Sequence, residues 1–292
     1  MTSEAKAMRL SVEIAAKALA RQQEVTARLP QGTEVFVPFL PGQDIETSAE
    51  TSRLLARAGL VPVPHLPVRA IADRAELGDA LARLAAAGAD SLLLIAGDRK
   101  RPAGAFADTL AVLDTGLIEA SGLRRLNVAG HPTGHPMADD DALMSALRTK
   151  AAFGHATGID VTIVTQFVFE AEPVIQWLGA LRDGGIDLPV RIGVSGPARL
   201  RTLLAFALQC GVAAAAEATF TRPMAVAKLM GHWTADTVVA DLAAYREESG
   251  DRRLAGVHVY SFGGVDYAVD WLNSLDAAGV GQNREGRMAG SA

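Results

Sequence analysis

Ser91-Leu-Leu-Leu-Ile-Ala-Gly-Asp98 decides the fold: an uninterrupted apolar run is cut off abruptly by a glycine and a carboxylate. A parallel strand covered on both faces reads as a continuous apolar run, and a strand of a closed barrel delivers its polar residue at its C-terminal end. Outward from this stretch the pattern repeats. Short apolar or β-branched runs at Met8–Ile14, Glu34–Phe39, Val61–Leu66, Ser91–Ala96, Arg125–Gly130, Asp160–Thr165, Val190–Val194 and Gly256–Phe262 alternate with Ala/Leu/Arg-rich helical stretches. Eight such strands with no polar edge strand predict a closed (β/α)8 TIM barrel rather than an open doubly wound sheet. In Glu76–Ala87 the residues Leu77, Ala80, Leu81, Leu84 and Ala85 recur at spacings of three and four, one face of a helix packed on that barrel.

The chain has 292 residues, 49% of them hydrophobic, enough for one large α/β domain. We expect a barrel domain over 8–278, a flexible N-terminus over 1–7 and a polar, Gly-rich disordered tail over 279–292. About sixty residues separate the seventh and eighth strands, room for a crossover helix and an extra helix such as Arg222–Met230. A net charge of −5, with basic residues scattered among acidic ones, gives no nucleic-acid footprint and predicts a small-molecule partner. Cys210 is the only cysteine, so no intramolecular disulfide can form. No secretory signal is evident, and the apolar stretch Thr202–Ala216 is too short and too polar to span a bilayer, so a cytoplasmic protein without membrane partner is expected.

The polar residues at strand ends are the candidates for chemistry: Glu13, His65, Asp98 with Gly97 beside it, His131, His135, Gln166 and Glu170. Each has a plainer reading. Asp98 is either a helix N-cap or a site acid, and Gly97 favours the second because glycine admits close approach of a ligand to the backbone. Glu13 points either outward, to pair with a helix, or into the barrel, where desolvation would raise its pKa and suit it to donating a proton. His65 is a structural or a catalytic imidazole. His131-Pro-Thr-Gly-His135 carries a proline after each histidine and is a loop, not a helical metal pair. Ser195-Gly-Pro-Ala198 either holds a phosphate on backbone N–H groups or simply caps a helix. Neither a dinucleotide-binding glycine fingerprint nor a P-loop is present.

Taken in order, these segments resemble the methylenetetrahydrofolate reductase family. LSVEIA is similar to that family's first-strand S-F-E-F core, VPVPHL to its A-P-H-L strand, IAGD to its R-G-D strand end, and TQFVFE to its T-Q-F-F-F-D strand end. The resemblance implies a (β/α)8 barrel in which FAD takes hydride from NADH or NADPH and passes it to 5,10-methylenetetrahydrofolate, giving 5-methyltetrahydrofolate. It further implies that Glu13 protonates the folate nitrogen, that Asp98 favours the cation so formed and binds the pterin, and that Gln166 orients the pterin. His65, Gly97, His131, His135 and Lys150 would line the cofactor. The partners implied are a tetrahydrofolate derivative, a nicotinamide dinucleotide and, as a homo-oligomer, copies of the chain itself.

The chain also departs from that family. Ala15-Ala16 stands where the family has a Pro-Pro pair, Phe39 with Pro38 where it has a threonine near the flavin, and His131-Pro132 where it has Tyr-Pro. Ala96 replaces the arginine that helps hold the flavin diphosphate, leaving Lys150 for that role, with Arg99, Lys100 and Arg101 as further candidates for phosphates or a polyglutamate tail. The folate side of the resemblance is therefore better kept than the flavin side. A flavin-independent reductase of the same class and a non-redox folate-binding barrel serving methyl transfer remain alternatives.

Overall fold

Strands that read as apolar runs become the staves of a closed barrel in the computed structural model, which describes residues 8–21, 23–210, 212 and 232–280. The staves are β1 (Arg9–Glu13), β2 (Glu34–Val37), β3 (Val61–Pro67), β4 (Ser91–Ile95), β5 (Arg125–Gly130), β6 (Asp160–Phe167), β7 (Val190–Ser195) and, after two short strands, β10 (Leu254–Tyr260). All pair in parallel, in the closed order β1-β10-β7-β6-β5-β4-β3-β2. The seam that closes the ring joins the first strand to the last, with Ser11 opposite His258 and Glu13 opposite Tyr260. Strand limits differ from the expected ones by at most two residues, and β5 matches at both ends. Most notably Phe39 lies beyond β2, where Pro38 has ended the ladder, and β6 runs on to Phe167.

Helices cover the outside. Before β7 they are α1 (Ala16–Arg21), α2 (Gln23–Ala27), α3 (Ile45–Arg57), α4 (Arg74–Ala86), α5 (Leu110–Leu113), α6 (Leu117–Ala120), α7 (Asp140–Thr157) and α8 (Glu172–Asp183). Their starts are written in the sequence. Asp44, Asp73 and Asp139 each precede a helix and accept a backbone N–H three residues on, and Glu76 accepts from Ala72 N at 2.6 Å to complete a reciprocal cap. The apolar faces of these helices and the outward faces of the strands form one continuous core that includes Leu10, Val12, Leu77, Leu81, Leu92, Leu94 and Val128.

Among the described residues α9 (Leu200–Gln209) and α10 (Asp236–Ser249) lie between β7 and β10, and α11 (Val265–Ala277) follows β10. The segment Arg222–Met230, the 1–7 stretch and residues 281–292 fall outside the described residues. Ser195 does not cap a helix, and no helix opens at Ala198. Ala198–Arg199 forms instead a short strand, β8, antiparallel to β9 (His232–Trp233), and the Ser195 hydroxyl donates to Gly196 O at 2.7 Å. Among the described residues no helix is long and apolar enough to cross a membrane.

Inside the ring the side chains stack in layers. At the N-terminal end Glu34 is buried, accepts from Arg125 at 3.2 Å and forms an ion pair with the buried Arg191, while Arg125 also reaches Asp90 at 2.7 Å. Above this ionic layer Phe36, Val63, Leu93 and Val164 make a small apolar plug with Ile95 against it. The plug separates the basal charges from the C-terminal mouth, where the candidate residues gather.

Candidate active site at the C-terminal mouth of the barrel

Contacts across the barrel settle the direction of Glu13: it shares the inward face with Ser11, and both meet side chains of other strands. Its Oε2 lies 3.5 Å from His65 Nε2 and 3.9 Å from His258 Nε2, with 16% of the side chain exposed. Burial raises the pKa of the Glu13 carboxyl, a push only partly countered by His65. Burial likewise lowers His65 to about 4 and His258 to about 3, so both rings are neutral at physiological pH. The site thus holds a carboxyl that favours its proton between two imidazoles that refuse one.

His258 and Tyr260 were not singled out by the sequence reading. The signal was available: in Leu254–Tyr260 the polar His258 and Tyr260 alternate with Val257 and Val259, which places both on the inward face of a strand otherwise read as core. Tyr260 Oη donates to Thr165 O at 3.1 Å, and its ring stacks on Phe262, which in turn stacks on Phe206. Together with Phe167 and Phe169 these rings make an aromatic wall on one side of the mouth. Cys210 packs there, its thiol pushed up to about 11 by burial first and then by Glu13 and Asp98, which places it within electrostatic reach of both carboxyl groups.

Asp98 stands at the rim, exposed, and is not an N-cap: the next helix is α5, opening at Leu110. Gly97 adopts φ +83, and a Cβ there would lie 2.8 Å from Pro67 Cβ, so both conformation and space require glycine at the turn that presents Asp98. A pocket of about 860 Å3 opens beside them, between the loops that follow β2, β3 and β4, with Phe39, Leu40, Pro67 and Ile71 among its apolar walls. Gln166 is half-buried at the end of β6; its Oε1 accepts from Phe167 N at 3.0 Å, which orients the amide. Among the described residues no hydrogen bond or ion pair joins Asp98 or Gln166 to Glu13. The three come from the C-terminal ends of β1, β4 and β6.

On the β5 side, the rings of His131 and His135 lie 4.7 Å apart, and Met137 N donates to His135 Nδ1 at 3.2 Å. Burial takes His131 down to about 4, and the neighbouring His135 and Lys150 push the same way. Lys150 comes from α7, is 7% exposed, and is lowered to about 8 by burial against a partial counter-pull from Asp108. Its ammonium has no hydrogen-bond or ion-pair partner among the described residues. A buried cation in that condition is suited to an anionic group brought by a ligand.

A closed parallel (β/α)8 barrel with a desolvated carboxyl at the end of its first strand, a buried lysine and aromatic rings along one wall defines a class: a (β/α)8 barrel whose polar candidate residues gather at the C-terminal ends of its strands. The chain belongs to the methylenetetrahydrofolate reductase family, whose model matches residues 15–213, more than half of its length, beginning just past Glu13. It is accordingly an oxidoreductase of that type, a folate-related one-carbon reductase. Among solved structures the chain is similar to the dihydropteroate synthase of Thermus thermophilus, with 14% identity over 93% of this chain and 94% of that one at a TM-score of 0.48. It is also similar to the 3-dehydroquinate dehydratase of Aquifex aeolicus, with 10% identity over 93% and 98% at 0.46.

Proposed function

We propose that the protein interconverts 5,10-methylenetetrahydrofolate and 5-methyltetrahydrofolate, with a reduced nicotinamide dinucleotide as the hydride source and Glu13 as the general acid. The observation that carries this reading is the buried, inward Glu13 held between two neutral imidazoles in a chain of this family. Reduction of the one-carbon bridge needs its five-membered ring opened first, and protonation of the ring nitrogen makes that nitrogen a leaving group. A carboxyl whose pKa is raised by desolvation is suited to the task, and it becomes the base when the reaction runs backward. Asp98 would accept hydrogen bonds from the pterin and favour the iminium cation electrostatically. Gln166, its Oε1 fixed by Phe167 N, would turn its amide N–H groups to the same ring.

The residues present fit a flavin dinucleotide in part. Lys150, buried and without a partner among the described residues, would hold the diphosphate, with His131, His135 and Gly97 lining it and His65 between it and Glu13. When bound, FAD supplies the relay of hydride from nicotinamide to folate. Direct transfer from nicotinamide is the second reading, and the half-buried Ala96 favours it, since a methyl group stands where the family keeps a diphosphate-binding arginine. The pure protein's absorbance spectrum with and without added FAD separates the two, and a nicotinamide–folate assay tests the reaction itself. Folate-dependent nicotinamide oxidation is the expected result; binding of folate without any such oxidation would leave a non-redox folate carrier instead. The supply of methyl groups for methionine and a place in the cytoplasm go with this proposal.

A further inference from the structure

Two imidazole nitrogens beside Glu13 have no hydrogen-bond partner among the described residues, His65 Nε2 and His258 Nε2, and only the second belongs to a ring whose other nitrogen is held by a side chain. His258 is 1% exposed at the end of the strand that closes the barrel, and its Nε2 has no hydrogen-bond partner. Leaving a buried polar nitrogen unpaired is costly, so an arrangement that keeps it invites the question of when it is paired.

The other ring nitrogen answers part of it. His258 Nδ1 lies 3.0 Å from Ser11 Oγ, whereas the alternative acceptor for that hydroxyl, Val257 O, is 3.5 Å away. The shorter contact is the better use of the Ser11 proton, and a hydroxyl donating to Nδ1 leaves the imidazole hydrogen on Nε2. That N–H faces Glu13 Oε2 at 3.9 Å, slightly too far for a hydrogen bond with the carboxyl at rest. Phe36 packs 4.4 Å from the His258 ring, centre to centre, and restricts it from below.

We propose that His258, its tautomer fixed by Ser11, is a positioning residue that sets the acidity of Glu13 by donating its Nε2–H to the carboxylate left behind when the proton departs. This rests on the role of Glu13 given above. In the step, the Glu13 O–H bond breaks and an N–H bond forms on the folate nitrogen. The electron pair stays on the Glu13 oxygen, and the His258 hydrogen remains on its own nitrogen. A charged imidazole at this place would hold Glu13 ionised at all times. A neutral one, kept so by burial and by Arg191 on β7 against Glu34 on β2, leaves the upward push of burial on the Glu13 carboxyl in place. The other groups facing Glu13 are His65 on β3, Tyr260 on β10 and Cys210 beyond α9, with Asp98 acting on the same thiol. None of these has a side-chain hydrogen bond that fixes an N–H toward the carboxyl, so the assignment falls to His258.

The experiment is titration of the Glu13 carboxyl by infrared difference spectroscopy of the C=O stretch in the ligand-free protein, with Glu13→Gln identifying the band. His258→Leu is expected to move that titration up by roughly one pH unit or more, the equivalent of a lost hydrogen bond to a charged group. Ser11→Ala, a smaller change that spares the packing, is expected to move it in the same direction by less, and His258→Gln, whose amide can donate, to restore it toward wild type. A merely structural role would lower the melting temperature and leave the band titrating where it does in wild type; that result, or a downward shift, overturns the proposal. If the wild-type protein oxidises no reduced nicotinamide with folate, the functional reading falls while the titration still decides the role of His258.

Discussion

A carboxyl group that points into the barrel beside two neutral imidazoles has little water to stabilise its ionised form. Changing Glu13 to Gln keeps the shape and removes the transferable proton, so turnover is expected to fall by roughly two orders of magnitude or more with folate binding nearly intact. Steady-state nicotinamide oxidation beside folate titration of the same sample checks it, and unchanged turnover would take Glu13 out of the chemistry. Asp98→Ala is expected to weaken folate binding and rate together with no loss of melting temperature, because the side chain is exposed and makes no hydrogen bond within the described residues. A variant that binds folate normally but unfolds earlier would return Asp98 to a structural role. Glu13 and Asp98 were visible in the sequence because each interrupts or ends an apolar run. The inward direction of Glu13 was not, since alternation alone gives two faces and no means of choosing between them. His258 went unnoticed because a histidine inside a valine-rich strand looks like core until the strand is placed opposite β1.

At the scale of elements, the rim depends on an irregularity in β6. Its pairing with β7 shifts register between Val164 and Phe167, so that Phe167 lies opposite Gly193, while Thr165 Oγ1 accepts from Gly193 N at 2.9 Å. The shift turns Gln166 and Phe167 toward the mouth and is possible because Gly193 has no side chain: a Cβ there would lie 2.4 Å from Thr165 O and 2.8 Å from the Tyr260 ring. Gly193→Ala is therefore expected to destabilise the fold by about 1–3 kcal/mol and to disturb the Tyr260 bond to Thr165. Chemical denaturation measures the first, and the near-ultraviolet tyrosine signal reports the second. A residue-by-residue pattern cannot foresee such a shift, because a strand that changes register keeps the composition of one that does not. The helix starts were the more legible elements, since an aspartate acting through its own side chain at Asp44, Asp73 or Asp139 needs no distant partner.

Over the whole molecule, the barrel is held at its base by charge and at its wall by apolar packing. Glu34 serves both Arg125 and Arg191, and since Arg125 keeps Asp90 while the buried Arg191 loses its counter-ion, Glu34→Gln is expected to cost about 3–5 kcal/mol. The double change that also makes Arg191 a methionine should recover much of that loss, which equilibrium unfolding of the two variants would show. Stability is also expected to depend on pH in a definite direction. His65 and His131 titrate near 4 and His258 near 3 in the folded protein, against 6.5 as the ordinary value. Between those limits the unfolded chain binds more protons than the folded one, so stability falls as pH drops through 6.5, by at most about 1.4 kcal/mol per pH unit for each ring. Glu13 works the other way, its raised pKa favouring the folded form at low pH, but one group is set against three. Melting temperatures that decline steadily from pH 7 to pH 5 would bear this out, and a flat profile would count against neutral burial of these histidines.

The seam between β1 and β10 has a bearing on how the protein can be divided. Strands that are neighbours in space are separated by nearly the whole chain, and the acid lies on one side of the join with its two aligned partners, His258 and Tyr260, on the other. A shortened product ending before Leu254 would present β1 and β7 as bare hydrogen-bonding edges, open to pairing with other chains. The same cut would strip Glu13 of its surroundings. A ribosome that has made all but the end of this protein has not yet made a working site, and chaperone demand and enzymatic competence are tied to the same final strand.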